Sequence, residues 1–111
     1  MRRDDTVLVR HILDAAQEAI SMAKDHSRED LDTDRKLNLS LVRLLEIIGE
    51  ATKGISPDFR QKHPDLPWRK IVGMRDRLIH GYFDVNFDVV WQTITEDLPA
   101  LVAELEKTLA E

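Results

Sequence analysis

Hydrophobic residues recur at steps of three and four along most of this chain, and that spacing is typical of amphipathic helices. The first such segment runs from about Asp5 to His26. Its apolar positions are Leu8, Ile12, Ala15, Ala16, Ala19, Ile20 and Ala23, and charged residues fall between them. The pattern predicts one helix of about five turns.

The second segment, from about Thr33 to Lys53, is the most apolar part of the chain. It follows an acidic stretch, and Thr33 or Asp34 is the expected N-cap. Gly54 is the expected residue at which the helix ends. Because apolar side chains, Leu39 among them, cover so much of its circumference, we expect this helix to be central in a bundle or partly buried in an oligomer interface.

The next stretch predicts one short helix and one longer helix. Ser56-Pro57 is a start signal, and His63-Pro64 discourages continuation of the short helix. Pro67 restarts the chain, and the helical pattern that follows leads to Gly81 as its expected stop. We expect Trp68 to be a core residue of this helix, with a role in stacking on a nucleic-acid base as the alternative.

The last segment keeps one apolar period from Asn86 to the C-terminus, interrupted only by Pro99. We expect a helix that is bent at the proline and still packs along its whole length. The chain contains no strand-like alternation and no internal repeat. We therefore predict an all-α fold, an up-and-down helical bundle of four main helices plus one short helix, with residues 1–111 as a single domain.

The charge distribution singles out one part of the chain. The net charge of −5 argues against a protein that coats nucleic acid nonspecifically. Residues 60–80, the basic segment, hold six Lys and Arg against two Asp, so they carry +4 and the remaining chain −9. Such a segment suits a site that contacts a few phosphates, with Arg69, Lys70 and Arg77 as expected ligands. The other interpretation is chance clustering on a solvated surface.

Cellular location is constrained only by what the sequence lacks. It has no cysteine, and no apolar run approaches the roughly eighteen residues of a membrane helix. The first residues, Met-Arg-Arg-Asp-Asp, have no apolar stretch behind their charges. We expect a cytoplasmic protein that is neither secreted nor inserted into a membrane.

Residues 73–82, the motif segment, concentrate the residue types that handle phosphate. Cutting RNA without a metal needs a base for the ribose 2′-OH, a cation for the charged transition state and an acid for the leaving oxygen. His80 can give or take a proton near neutral pH, and Arg75 offers a planar fork that matches phosphate oxygens. Arg77 is a second cation, and Asp76, one helical step before His80, could orient the imidazole.

Arg75 and His80 are five positions apart. On an ideal helix that is a rotation of roughly 140° and a rise of about 7.5 Å, so the two would not lie side by side. Either the helix ends before His80, as Gly81 indicates, or a second copy of the chain completes the site. We favour a two-fold homodimer, which would supply two histidines and at least two arginines across one cleft.

Arg75-X4-His80-X-Tyr82 resembles the signature of the HEPN superfamily in its HepT-like form. Other blocks are similar in the same order: residues 45–51, Leu-Glu-Ile-Ile-Gly-Glu-Ala; residues 67–71, Pro-Trp-Arg-Lys-Ile; and Val90-Trp91 through Asp97-Leu98-Pro99. The similarity covers nearly the whole chain. The short motif is moderately specific, whereas the blocks in sequence are strongly so.

The resemblance implies a metal-independent endoribonuclease without a cofactor, the toxin of a bacterial or archaeal toxin–antitoxin pair. It also implies RNA as substrate, a minimal nucleotidyltransferase as antitoxin, and a homodimer whose cleft carries the motif from both chains. By this resemblance Arg75 and His80 are catalytic, Asp76 is the polar residue after the arginine, and Tyr82 accepts AMP from the antitoxin. That group would place a bulky anion beside Arg75 and Arg77.

Other interpretations stay open. Arg77 and His80 could simply complement the dipole at a helix C-terminus. The chain could be a non-catalytic helical module that binds RNA or nucleotide, or docks a nucleotidyltransferase. Glu46 and Glu50 share a helix face and could bind a metal, although no histidine lies at ligand spacing from them, and we expect none.

Overall fold

Helices make up most of the structure, a computed structural model that describes residues 3–81 and 84–110, with the backbone alone described at residues 3, 75 and 78–81. The helices are α1 (Arg3–Ala23), α2 (Asp30–Thr33), α3 (Arg35–Lys53), α4 (Pro57–Lys62), α5 (Trp68–Val72), α6 (Met74–Leu78), α7 (Phe87–Gln92) and α8 (Leu98–Ala110). A π-helical turn, Thr93–Asp97, joins α7 to α8. Two short strands, β1 (Ile79–Gly81) and β2 (Asp84–Val85), lie between α6 and α7. The all-α helical bundle is confirmed.

α3 is the central helix of the bundle, as predicted. It packs against α1, α2, α5, α6 and α7. Its buried apolar residues are Leu37, Leu41, Leu44, Leu45 and Ile48. Leu39, which the sequence also assigns to the apolar face, is 52% exposed. The helix is therefore buried over one broad face and open to solvent at Leu39.

The ends of α3 are satisfied by side chains from its own neighbourhood. The carboxylate of Asp34 accepts the backbone N–H of Leu37 at 3.0 Å, which confirms Asp34 as the N-cap. The helix ends at Gly54, which adopts a right-handed conformation with φ of −81°. Arg60 Nη2 donates to the carbonyl of Thr52 at 2.7 Å, so a cation stabilises the last turn.

A buried carboxylate joins α1 to α4. Asp5 continues the buried stripe of α1 that includes Val9 and Ile12, and it is only 2% exposed. Its two oxygens accept the backbone N–H of Ser56 at 2.8 Å and the Ser56 hydroxyl at 2.6 Å. The Ser56 oxygen in turn accepts the N–H of Phe59 at 3.2 Å, which confirms the predicted helix start at Ser56-Pro57.

Arg28 connects the turn before α2 to the first turn of α7. Its Nε donates to Asp88 at 2.6 Å and its Nη1 to Asp32 at 3.0 Å. The guanidinium lies 6.0 Å from the ring centroid of Phe87. The hydrogen bonds to Asp88 and then Asp32 raise the pKa of Arg28 further above its ordinary value. This clamp fixes the position at which the chain leaves β2.

The single helix predicted to run from Pro67 to Gly81 is wrong. Gly73 divides it into α5 and α6, and α6 ends at Leu78. An added Cβ at Gly73 would lie 3.2 Å from the carbonyl of Arg69, closer than most real contacts. After α6, Ile79 pairs with Val85 and Gly81 with Asp84 in an antiparallel hairpin, which the sequence did not predict. Ile79 and Val85 are β-branched, a residue type enriched in strands.

The last helix meets Pro99 with a π-turn rather than a break. The backbone N–H of Leu98 donates to the carbonyl of Thr93, one residue further back than in an α-helix. The buried positions continue across this turn: Val90, Ile94, Leu98, Leu101 and Leu105. Packing along the whole length is confirmed. Over the described residues, no helix has both the length and the apolar content needed to cross a bilayer.

Candidate functional site

The motif segment spans the change from α6 to β1. Arg75 lies in α6, and His80 lies in β1, beyond the end of the helix. The first of the two arrangements that their spacing allows is therefore observed, because the helix ends before His80. For the same reason Asp76 and His80 are not one turn apart on a common helix. The helical spacing that was expected to bring Asp76 to the imidazole is therefore absent. The side chains of Arg75 and His80, and Tyr82 as a whole, lie outside the described residues.

Packing holds α6 in place before the motif segment leaves the helix. Met74 at its start is 2% exposed, and α6 packs against α3 and α7. The backbone N–H of Arg77 donates to the carbonyl of Gly73 at 3.2 Å, so the helix begins directly at the glycine. The buried Met74 thus fixes the backbone position of Arg75, the next residue.

On the other side, the hairpin leads directly into a capped helix. Asn86 follows β2, and its side-chain oxygen accepts the backbone N–H groups of Asp88 and Val89 at 3.1 and 3.2 Å. Asp88 is also held by the Arg28 clamp. The strand that carries His80 is therefore paired with a strand whose continuation is fixed to the body of the bundle.

A groove lies beside α6 on the surface made by α5 and the residues that precede it. Its volume is about 690 Å³, and it is open to solvent. It is lined by Leu66, Pro67, Trp68, Arg69, Lys70, Gly73 and Arg77, and we call it the Trp68 groove. The structure thus brings together the three cations that the sequence predicted as phosphate ligands.

The three cations of the groove have different surroundings. Arg69 is exposed. Lys70 Nζ forms an ion pair with Asp97 of the π-turn at 3.0 Å, and Arg77 Nη2 lies 3.4 Å from the Lys70 carbonyl, which accepts from it. Lys70 and Arg77 also line a smaller cavity that reaches the π-turn. A phosphate in the groove would meet two exposed guanidinium groups, those of Arg69 and Arg77, and an ammonium already paired with a carboxylate.

Not every cation of the basic segment faces this groove. Arg60 donates to the α3 carbonyls and lies 5.9 Å from the ring centroid of Trp68, so its charge supports the fold. Lys62 is exposed but is not among the groove residues. The cations of the basic segment therefore do not all share one surface.

Trp68 is both a packing residue and a wall of the groove. Its Nε1–H donates to the carbonyl of His63 at 2.8 Å, and its ring meets Phe59 edge-on with centroids 5.7 Å apart. The side chain packs against the core and is partly exposed. The prediction of a core residue is confirmed in part, while its position beside the cations is a feature that helical spacing did not reveal.

Glu50, one of the two residues of the alternative metal site, is explained more simply by an ion pair. Glu50 forms an ion pair with Lys53 at 3.2 Å on the exposed side of α3. Within residues 3–81 and 84–110, the structure contains no group of three His, Asp or Glu side chains arranged to hold a metal ion.

Comparison with known proteins bears on the whole chain. The family model described as "Ribonuclease HepT-like" matches residues 12–108. A protein named "Probable ribonuclease HepT" from Thermococcus cleftensis is 44% identical over 99 residues, which cover 86% of this chain and 90% of that protein. A "Putative RNase" from Caldanaerobacter subterraneus subsp. tengcongensis is 46% identical over 103 residues, which cover 93% and 88%.

A further "Putative RNase", from Methanocaldococcus jannaschii, is 36% identical over 105 residues, which cover 95% of this chain and 96% of that protein. No solved structure shows a significant match to the chain. The extent of the family match and these identities lead to one conclusion: the chain belongs to the HepT-like ribonuclease family.

Proposed function

We propose that this protein is a metal-independent endoribonuclease that cuts RNA with Arg75 and His80. Its family membership and the names of its relatives support ribonuclease activity in general. The observation that carries the specific proposal is the placement of the Arg75-X4-His80 motif, which crosses from α6 into β1 beside a groove lined by three cations.

The proposed reaction uses the 2′-OH of the RNA as nucleophile. His80 takes its proton, the 2′-oxygen attacks the adjacent phosphorus, and the 5′-oxygen leaves with a proton from a general acid. The products are a 2′,3′-cyclic phosphate and a free 5′-OH. Arg75 stabilises the negative charge that accumulates on the phosphoryl oxygens, and Arg77, Arg69 and Lys70 bind flanking phosphates.

A homodimer supplies the second proton-transfer group in this proposal. Each chain contributes one His80 to the motif, and the reaction needs both a base and an acid. A two-fold cleft that carries both motif segments would provide two imidazoles and two Arg75 guanidinium groups. Asp76 is exposed in α6 and is proposed to face the same cleft as a polar neighbour.

We further propose that the protein is the toxin of a toxin–antitoxin pair and that a minimal nucleotidyltransferase silences it by transferring AMP to Tyr82. The proposal is supported by sequence position. Tyr82 directly follows β1, two residues after His80. A phosphodiester on this phenol would bring negative charge to the place where the RNA phosphate has to bind.

The nuclease proposal is tested with purified protein and single-stranded RNA in the presence of EDTA. His80→Ala and Arg75→Ala should each lower the cleavage rate by roughly 100-fold or more, because each removes a group needed in the transition state. His11→Ala and Arg10→Ala change exposed residues of the same types on α1 and are the matched controls.

Retained cleavage in either motif variant, or loss of wild-type cleavage on addition of EDTA, would rule out this mechanism. Tight RNA binding without products at any protein concentration would identify a non-catalytic binding module instead. The lining of the Trp68 groove is compatible with such a module, since binding alone needs no proton transfer.

A further inference from the structure

The Trp68 groove combines an apolar wall with cations, and nothing in the motif chemistry requires that combination. We propose that it holds one unpaired nucleotide of a single-stranded RNA, with the base against Pro67 and Trp68 and its phosphates at Arg69 and Arg77. The inference rests on the proposed function for RNA as the class of ligand, but not on cleavage.

The size and lining of the groove fit a nucleotide. Its volume of about 690 Å³ falls within the roughly 300–1,000 Å³ of typical small-ligand sites. Leu66, Pro67 and Trp68 supply the apolar part of the lining, and the partly exposed indole offers an aromatic surface. Contact between a base and an aromatic side chain is the usual way in which proteins bind unpaired nucleotides without reading sequence.

The charges favour a polyanion over a second copy of the chain. Arg69, Lys70 and Arg77 all line the groove, and among the side chains that the structure describes only Lys70 of these three has a carboxylate partner, that of Asp97. A two-fold contact centred here would bring the same cations of both copies together, which is unfavourable. Phosphates would instead neutralise them, and the planar guanidinium groups match phosphate oxygens.

A single strand fits better than a duplex. In a duplex the bases are stacked and paired inside the helix, so their faces cannot reach an aromatic wall. The lining of the groove includes Arg77, which is two residues past Arg75 in the sequence. A strand lying in it would therefore approach the motif segment.

The test measures binding of a short 2′-O-methyl oligoribonucleotide, which lacks the free 2′-OH and cannot be cut by this chemistry. Trp91→Phe leaves Trp68 as the only tryptophan of the chain. Adding the single-stranded oligonucleotide should quench its emission, whereas the same sequence as a duplex should not. Fluorescence anisotropy of a labelled oligonucleotide, measured with the protein that keeps both tryptophans, provides a second readout that does not depend on the Trp91 variant.

Arg69→Ala should weaken binding roughly tenfold. It should also reduce the slope of log binding constant against log salt concentration by about 0.7, as expected for one lost phosphate contact. Lys62→Ala, an exposed cation of the same basic segment outside the groove, is the matched control and should change neither. Asp97→Asn should tighten binding by roughly two- to fivefold, because it removes a negative charge and releases Lys70.

Binding without any change in Trp68 emission, or equal effects of Arg69→Ala and Lys62→Ala, would refute the proposal. Emission that responds to protein concentration but not to the oligonucleotide would show that a second copy covers the groove, which also refutes it. Cleavage of unmodified RNA without a change in Trp68 emission would refute the groove site and support the nuclease proposal. A Trp68 response with RNA left uncut keeps the groove site and removes the nuclease.

Discussion

At the scale of single residues, Asp5 is a buried carboxylate whose oxygens accept two hydrogen bonds from Ser56. Asp5→Ala should lower the free energy of unfolding by about 1–3 kcal/mol, because it leaves the buried N–H and hydroxyl of Ser56 without this acceptor. Urea unfolding at one fixed protein concentration measures the change, since assembly would make stability concentration-dependent.

Asp4→Ala is the matched control, since Asp4 is the exposed neighbour on the same helix. Similar losses for both variants would mean that the Asp5–Ser56 pair contributes little beyond the helix dipole. The burial of Asp5 could have been predicted from its spacing, although an acidic residue near a helix start is usually interpreted as exposed. Asp5 lies four residues before Val9 and so falls on the buried stripe, where a carboxylate needs a donor from elsewhere in the fold.

The candidate site was predictable by residue type but not by geometry. Arg69, Lys70 and Arg77 border one groove, and their role as phosphate ligands stays a prediction. Charge counting could not tell them from Arg60, whose guanidinium donates to the end of α3. That distinction depends on where the α4 helix packs, which is a tertiary property with no local sequence signal.

At the scale of elements, the turn between α1 and α2 predicts a pH dependence. The backbone N–H of Ser27 donates to Asp30, and His26 lies 3.0 Å from the same oxygen. These contacts, the backbone one first, lower the pKa of Asp30 below its usual 3.8. Because the folded pKa is the lower one, the stability from Asp30 is present above the ordinary pKa and is lost as pH falls through the folded value.

Asp30→Asn should therefore unfold at lower urea than the parent protein near neutral pH, and the difference should shrink as the pH falls toward about 3. Unfolding midpoints across that pH range measure it, with the exposed neighbour Glu29→Gln as control. A difference that stays constant on acidification would show that the charge of Asp30 is not what stabilises the turn.

Elements with long periodic patterns were predicted well. α3 was expected from Thr33 to Lys53 and runs from Arg35 to Lys53, and the start of α4 was correct. The stretch from α5 to β2 was not, because its segments are too short for periodicity to separate helix from strand. There Gly73, whose missing Cβ leaves room for the Arg69 carbonyl, and the pairing of Ile79 with Val85 decide the structure.

At the scale of the whole molecule, the proposed partnership makes a prediction about mass. Co-expression with a nucleotidyltransferase encoded by a neighbouring gene should add one or more AMP units to the chain, measured as intact mass. Tyr82→Phe should abolish the gain, because it removes the phenolic oxygen and keeps the ring. A gain that persists in the Phe variant would place the modification elsewhere, and no gain beside an active nucleotidyltransferase would remove Tyr82 from the proposal.

The packing of α1 against both α3 and α8 has a consequence for synthesis. Helix α1 is translated long before α8, so a growing chain must carry the apolar stripe of α1 partly uncovered until the later helix has been made. The motif segment also precedes α7, against which α6 packs. A nascent chain therefore reaches its motif segment before it has α7, so α6 cannot complete its packing until that later helix has been made.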